Sequence, residues 1–211
     1  MPVDLEEMFA PGQVAVLVME VQRGTVGDLS LLPDLRRAAD ESGALDRIRE
    51  LLVAARQVGV PIVHCTVGPA LVPGAPPNYP GGAALAKRRA ARGEADPPET
   101  SEPVPEIGAE PTDMVMERHH GISPFSGTEL DAALRSMGTR TVIACGVSLN
   151  VGVIGLTIEA VNLGYRVAVV TDAVAGVPVD YGKAVLANTF PFIATRVTAD
   201  DVRTAWSKED R

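Results

Sequence analysis

The chain has 211 residues, of which 46% are hydrophobic and 22% are charged, and its formal net charge is −8 at pH 7. This length suffices for one domain with a buried core, and the hydrophobic content excludes a disordered chain. The negative charge argues against nucleic acid as a partner, because a phosphate backbone attracts a basic surface. Apolar runs such as VAVLVM at 14–19 are too short to span a bilayer, so we expect no membrane association.

The start of the chain and its cysteines indicate the compartment. The sequence MPVDLEEMF lacks the basic start and apolar run of a signal peptide. Two cysteines, Cys65 and Cys145, do not make a disulfide framework. We therefore expect a soluble, cytoplasmic protein with a single domain over residues 1–211.

Six short runs are apolar throughout, which is typical of strands that are covered on both faces of a parallel sheet. They lie near 14–19, 61–66, 113–117, 141–145, 166–170 and 192–197. Helical patterns alternate with them, and parallel strands require right-handed crossovers. The sequence therefore predicts an α/β fold: a Rossmann-like three-layer α/β/α domain with a mainly parallel six-stranded sheet.

In three segments an amphipathic helix is followed by a glycine and then by a strand, and the glycines are Gly59, Gly138 and Gly164. Apolar residues at helical spacing predict one apolar face for each helix. These faces are Leu45, Ile48, Leu51, Leu52, Ala55 and Val58 in the first, Leu130, Ala133, Leu134 and Met137 in the second, and Val151, Ile154, Ile158 and Val161 in the third. Ser126 with Glu129 predicts a capping box at the start of the second helix.

Residues 67–112 interrupt this alternation and are rich in Pro, Gly and acidic residues. One stretch within them, AALAKRRAA, has helical character. A long insertion of this kind serves as a lid, an interface arm or a mobile loop, and composition does not choose among them. At the other end of the chain, ADDVRTAWSKEDR predicts a closing helix.

Candidate site residues are sought just after each strand, because open α/β sheets bind ligands at the carboxyl ends of their strands. Glu20 follows the first strand, where a carboxylate suits acid–base work; the plain alternative is a solvated strand end. His119 and His120 follow the third strand, and only one of two adjacent residues in an extended segment faces a given site. The histidines lack the spacing of metal ligands, so we expect neither a metal nor another cofactor.

The turn CGVSLNVG at 145–152 leads from the fourth strand into a helix. Its backbone N–H groups suit an anionic or developing oxyanionic group. Asn150 either caps the helix or faces a ligand, and Ser148 lacks a neighbouring base that would make it a nucleophile. Cys145 is most simply a small buried residue at a strand end.

Three blocks of the chain together resemble the isochorismatase-like superfamily of hydrolases, which includes nicotinamidases, carbamoylsarcosine amidases and isochorismatases. The block VAVLVMEVQRG is similar to a family strand ending in Asp-x-Gln. The block HHGISPFSGTELDAALRSMG is similar to Lys-x-x-x-Ser-Ala-Phe-x-x-Thr-x-Leu. The block TVIACGVSLNVGVIGLTIEAVNLGYRVAVVTDA is similar to Gly-Val-x-Thr-Asn-x-Cys with the helix and strand that follow it. The resemblance covers nearly the whole chain except 67–112.

The resemblance implies that the family's Asp, Lys and Cys triad falls on Glu20, His119 and Gly152, so that all three positions have changed. Arg118 takes the Lys position if the alignment slips by one residue. Gly152 has no nucleophilic atom, and vinyl-ether-cleaving isochorismatases resemble this chain in having glycine there. The zinc ligands of nicotinamidases have no counterpart.

We therefore expect a hydrolase that acts on a small molecule without a cysteine nucleophile. Glu20 and His119 would form the acid–base pair, water would attack, and backbone N–H groups at 148–152 would hold developing charge. The other substrate-binding candidates are Gln22, Arg118, Phe125, Ser148 and Asn150. The alternatives are a catalytically silent relative that binds a small molecule or serves as an assembly subunit, and an amidase that uses Cys145 or Cys65. A homo-oligomer, dimer or tetramer, is also expected.

Overall fold

The computed structural model describes residues 3–72, 74–93 and 97–207. Six strands form one sheet in the order β3-β2-β1-β4-β5-β6, and every pairing between neighbours is parallel. The strands are β1 Val14–Met19, β2 Ile62–Val67, β3 Met114–Arg118, β4 Thr141–Val147, β5 Arg166–Ala175 and β6 Thr195–Val197. The predicted parallel α/β sheet is therefore confirmed.

The described residues contain eight α-helices. They are α1 Leu5–Met8, α2 Pro33–Ser42, α3 Ala44–Gln57, α4 Pro80–Arg92, α5 Leu130–Ser136, α6 Ile154–Asn162, α7 Val179–Asn188 and α8 Ala199–Ser207. The predicted helix in AALAKRRAA and the predicted closing helix correspond to α4 and α8. In this part of the chain, none of the helices has both the length and the apolarity needed to cross a bilayer.

Two apolar cores lie on opposite faces of the sheet, which makes the domain three-layered. One core joins β1 residues of even number, such as Val16 and Val18, to α1, α2, α3 and α8. The other joins β1 residues of odd number, such as Leu17 and Met19, to α5, α6 and α7. Because side chains alternate along a strand, a shift of one residue moves a side chain from one core to the other.

The helix-ending glycines were predicted correctly. Gly59, Gly138 and Gly164 have φ values of 71°, 75° and 91°, in the left-handed region that a residue with a Cβ rarely adopts.

The capping box was wrong. Helix α5 begins at Leu130, whose N–H donates to Thr128 Oγ1 (3.2 Å), whereas the Ser126 hydroxyl donates to the Glu159 carboxylate (2.8 Å).

Three of the four residues expected on the apolar face of the third helix point outward, and only Ile154 packs against the core. Val151, Ile158 and Val161 are 44%, 46% and 41% exposed. The residues of this segment that enter the core are Val153, Leu156, Thr157 and Ala160. The helix is apolar on more than one side, so helical spacing alone did not determine which side packs on the sheet.

Candidate active site

The carboxyl ends of β1 and β4 meet at the centre of the sheet, where the strand order reverses. Open α/β sheets bind ligands at this position. Glu20 follows β1 directly and has a φ of 50°, the only positive φ of a non-glycine residue in the described part of the chain. A left-handed conformation costs such a residue roughly 1–2 kcal/mol, and strained residues of this kind concentrate at functional sites.

Arg118, not His119, is the partner of Glu20. The Nη2 atom of Arg118 donates to Glu20 Oε1 in a short ion pair, and Arg118 Nε donates to the Gly121 carbonyl (3.4 Å). The Arg118 side chain is 2% exposed and that of Glu20 is 17% exposed. Arg118 Nη1 is buried and has no hydrogen-bond partner among the described residues. The pair is thus nearly desolvated and keeps one unused donor group.

The expected Glu20–His119 pair is therefore wrong, and the strand geometry gives the reason. Arg118 ends β3 on the same side as Met114 and Met116, which pack on the core that includes Met19. His119 points elsewhere: its Nδ1 lies 2.8 Å from the Pro69 carbonyl oxygen, and its Nε2 lies 3.8 Å from Glu117 Oε1. The residue that reaches Glu20 is Arg118, which takes the family's Lys position when the alignment is shifted by one residue.

Gly152 lies beside the same strand end, in one turn of π-helix, Leu149–Val153, that precedes α6. A Cβ at Gly152 would lie 3.1 Å from the Val147 carbonyl oxygen, 3.2 Å from Met19 Cε and 3.3 Å from Met19 Cγ. The absence of a side chain at Gly152 therefore leaves no open space next to its Cα. The Met19 thioether side chain packs against it.

The amides of this turn are partly used within the turn. The N–H groups of Val151 and Val153 both donate to the Ser148 carbonyl, at 3.1 and 3.0 Å. The Ser148 hydroxyl donates to Asn150 Oδ1 (3.4 Å), and Asn150 Nδ2 donates to the Val177 carbonyl (3.1 Å). Asn150 thus ties this turn to the segment after β5 and makes no side-chain cap on the helix.

Gln22 and Phe125 have structural contacts. Gln22 is 1% exposed; its Nε2 donates to the carbonyls of Val67 (2.9 Å) and Thr100 (3.0 Å), and its Oε1 accepts from the Val67 N–H (2.7 Å). Phe125 is 5% exposed and stacks on Tyr165 with 6.0 Å between ring centroids. The polar atoms of Gln22 are therefore satisfied by backbone, and Phe125 belongs to the core.

Both thiols are buried and unsuited to nucleophilic attack. Burial raises the pKa of the Cys65 thiol to about 12 and that of Cys145 far above its ordinary value. The thiolate is the reactive form, and it is scarce near neutral pH at such a site. Within the described residues, no three side chains of His, Cys, Asp or Glu converge as a metal site would require.

Comparison with known proteins identifies the family of this chain. The model of the isochorismatase domain matches residues 14–201 of the chain. The chain belongs to the isochorismatase family. A curated relative, the uncharacterized isochorismatase family protein YwoC of Bacillus subtilis, is 37% identical over 106 residues, which is 50% of this chain and 55% of that protein. The chain thus aligns with only about half the length of this relative.

Solved structures match the family member over most of its length. An isochorismatase family protein from Burkholderia thailandensis is 27% identical with a TM-score of 0.71, covering 93% of this chain and 96% of that one. N-carbamoylsarcosine amidase from Thermoplasma acidophilum is 25% identical with a TM-score of 0.66, covering 89% and 97% of the two chains. A cysteine hydrolase from Pseudomonas syringae has a TM-score of 0.74 and covers 99% and 96% at 21% identity, which shows a shared fold.

Sequence reasoning missed one residue beside the site. Met19 was interpreted as part of an apolar strand, and its contact with Gly152 depends on how β1 lies against the segment after β4.

Proposed function

We propose that this family member is a hydrolase of a small molecule that works without a covalent intermediate, with Glu20 as the acid–base group and Arg118 as its fixed cation. Water is the nucleophile. The observation that carries the proposal is the ion pair between Glu20 and the buried Arg118 at the carboxyl end of the central strands, with Arg118 Nη1 unused.

The proton chemistry rests on Glu20, since a guanidinium stays protonated in proteins and cannot accept a proton. A carboxylate oxygen of Glu20 takes one proton from water while the water oxygen forms a bond to the electrophilic carbon of the substrate. The electron pair of the cleaved bond goes to the leaving atom, and Glu20 returns the proton there. A positioned acid–base group of this kind contributes typically about 10²–10⁴ in rate.

Arg118 has two roles in the proposed mechanism, one for each terminal nitrogen of its guanidinium group. Its Nη2 holds the Glu20 carboxylate in place, and its Nη1 is free to donate to the substrate oxygen that gains negative charge. Donors preorganised toward developing charge in a water-poor site are among the largest contributions to catalysis. This role replaces the one expected of His119 and of the backbone N–H groups at 148–152.

Cysteine chemistry is disfavoured by three features. Gly152 has no side chain, and the two thiols, Cys65 and Cys145, are fully buried in the sheet. The raised pKa of both thiols opposes formation of the thiolate.

The catalytically silent alternative is favoured by one observation. Met19 packs where a side chain at Gly152 would lie, at 3.2–3.3 Å from the ideal Cβ position. Because Met19 fills the space of a nucleophile side chain at position 152, this site suits a binding protein whose ligand contacts the Glu20–Arg118 pair without turnover.

The test is a panel of vinyl ethers, amides and cyclic imides incubated with the wild type and with Glu20→Gln and His119→Ala. We expect Glu20→Gln to lower kcat/KM by about 10²-fold or more and His119→Ala to change it less than about threefold, because the imidazole bonds to Pro69 and not to Glu20. Circular dichroism verifies that both variants fold.

Three outcomes contradict the proposal. Turnover that survives in Glu20→Gln removes the carboxylate from the mechanism. Turnover abolished by thiol alkylation favours a cysteine enzyme. Ligand binding without turnover, unaffected by Glu20→Gln, supports the silent alternative.

A further inference from the structure

A cavity of about 500 Å³ lies at the amino-terminal edge of the sheet. Its walls include Gln13, which precedes β1, Arg140, which precedes β4, and Arg166, the first residue of β5. The Glu20–Arg118 pair lies at the opposite, carboxyl-terminal edge, roughly 20 Å away, since β1 has six residues with a rise of about 3.3 Å each. The cavity is therefore separate from the candidate active site.

The charge of this cavity is opposite to that of the chain. Arg135, Arg140 and Arg166 line it, and among the described lining residues only Glu7 is acidic. Three positive charges against one negative charge give the lining a formal charge of +2, whereas the whole chain carries −8. A concave surface lined by charges of one sign concentrates ligands of the other sign. The cavity is therefore suited to an anion.

Backbone hydrogen bonds hold the arginine-bearing segments next to each other. The Gln13 carbonyl accepts from the N–H groups of Arg140 (2.8 Å) and Thr141 (2.9 Å). The Arg140 carbonyl in turn accepts from the Arg166 N–H (2.9 Å). The side chains of Arg140 and Arg166 therefore start from neighbouring backbone positions that the sheet fixes.

Arg135 is held in position by three contacts. Its Nε donates to Asp131 Oδ2 (2.9 Å), its Nη2 donates to the Leu163 carbonyl (3.0 Å), and its guanidinium carbon lies 5.4 Å from the centroid of the Tyr165 ring. Its Nη1 makes no hydrogen bond to any residue that the structure describes. Asp131 offsets part of its charge, so Arg135 contributes a positioned donor more than a free cation.

Arg140 and Arg166 supply the uncompensated charge. No hydrogen bond or ion pair joins the Arg140 guanidinium to another group in residues 3–72, 74–93 and 97–207. Arg166 Nη1 lies 3.7 Å from Glu7 Oε1, in an ion pair whose side chains are 48% and 77% exposed. Exposed pairs of this kind contribute little, so an anion of higher charge can displace Glu7.

We propose that this cavity binds a small molecule with a diphosphate group, held by Arg135, Arg140 and Arg166. A guanidinium group meets phosphate oxygens with paired N–H donors, and a diphosphate has enough oxygens and charge for three such groups, whereas one carboxylate is matched by a single arginine. A volume of about 500 Å³ is within the range of small-molecule sites, about 300–1,000 Å³. The inference is independent of the proposed hydrolysis.

Isothermal titration calorimetry with inorganic pyrophosphate tests the site, at low ionic strength because salt screens exposed charges. We expect a Kd below about 1 mM for the wild type and a roughly tenfold weaker Kd for Arg140→Ala, which removes no contact within the described residues. Arg37→Ala removes an equal charge at a 64% exposed position of α2 and should change Kd less than about twofold. A wild-type Kd above about 1 mM, or equal losses in the two variants, overturns the inference.

Glu7→Gln provides a test of opposite sign. Because Glu7 competes with the ligand for Arg166, its neutralisation should tighten pyrophosphate binding by about two- to threefold. Unchanged or weaker binding in this variant contradicts the assigned role of Arg166.

Amide chemical shifts locate the bound probe. In ¹⁵N-labelled protein, pyrophosphate should move the signals of Arg140 and Arg166, whose N–H groups lie at the cavity, and leave those of Glu20 and Gly152 in place. An unmoved Arg166 signal overturns the inference, above all if the Glu20 signal moves, because the probe then binds at the candidate active site. Turnover that survives Glu20→Gln would refute the proposed function without affecting this site.

Discussion

Replacing Gln22 by leucine tests whether this side chain holds the insertion in place or is available to bind a substrate. Gln22 is 1% exposed and makes three hydrogen bonds to the backbone at both ends of the insertion. In Gln22→Leu the partly buried Val67 N–H loses its acceptor, at a cost of about 1–3 kcal/mol. The Thr100 carbonyl keeps the Gly24 N–H at 2.8 Å, so the loss of its bond to Gln22 adds only about 1 kcal/mol. The lost bond to the Val67 carbonyl adds about 1 kcal/mol, the net value of an ordinary hydrogen bond.

The free energy of unfolding should therefore fall by about 3–5 kcal/mol, which for a chain of this size lowers Tm by roughly 6–20 °C. Differential scanning calorimetry measures this, with Gln57→Leu at an exposed position of α3 as the control, expected within about 0.5 kcal/mol of the wild type. Trypsin should also cleave α4 after Lys87 or Arg88 faster in Gln22→Leu. Unchanged Tm and unchanged cleavage would refute the fastening role.

Three further outcomes are expected. Burial lowers the pKa of His64 despite its 3.0 Å contact with Asp113. Since the unfolded chain binds a proton near pH 6.5 and the folded chain does not, the free energy of unfolding should fall as the pH drops below about 6.5. Urea titrations at pH 7.5 and 5.5 should show this loss of stability in the wild type and not in His64→Asn. Gly146→Ala should lower the free energy of unfolding by about 3 kcal/mol or more, because its φ is 107° and a Cβ would collide with the Met19 carbonyl, whereas Gly152→Ala should lower it by about 2 kcal/mol or less. Thermal melts that rank the two variants in the opposite order contradict this packing. Ile158→Arg should convert an oligomer to monomers in mass photometry, because the exposed apolar side of α6 offers an uncharged contact to a second copy of a chain with a net charge of −8. A wild type that is already monomeric contradicts this prediction.

Part of the site could be read from the sequence. Glu20 was identified because it is the first polar residue after a six-residue apolar strand, and Gly152 because the block around it matches a family motif. The sequence could not distinguish Arg118 from His119. The alignment was ambiguous by one residue, and neighbouring residues along a strand point to opposite faces of the sheet. Gln22 was read as a ligand contact, although its amide bonds backbone 45 and 78 residues away.

Local pattern determined the six strands, most helices and the left-handed glycines, because these depend on short-range periodicity and on backbone sterics. Packing decided the rest. The sheet determined that Arg118 reaches across to Glu20, that Met19 lies against Gly152, and that α6 turns Val153, Leu156 and Ala160 inward while Ile158 faces outward. Each of these depends on which of two similar faces meets a distant part of the chain, and spacing along the sequence does not carry that information.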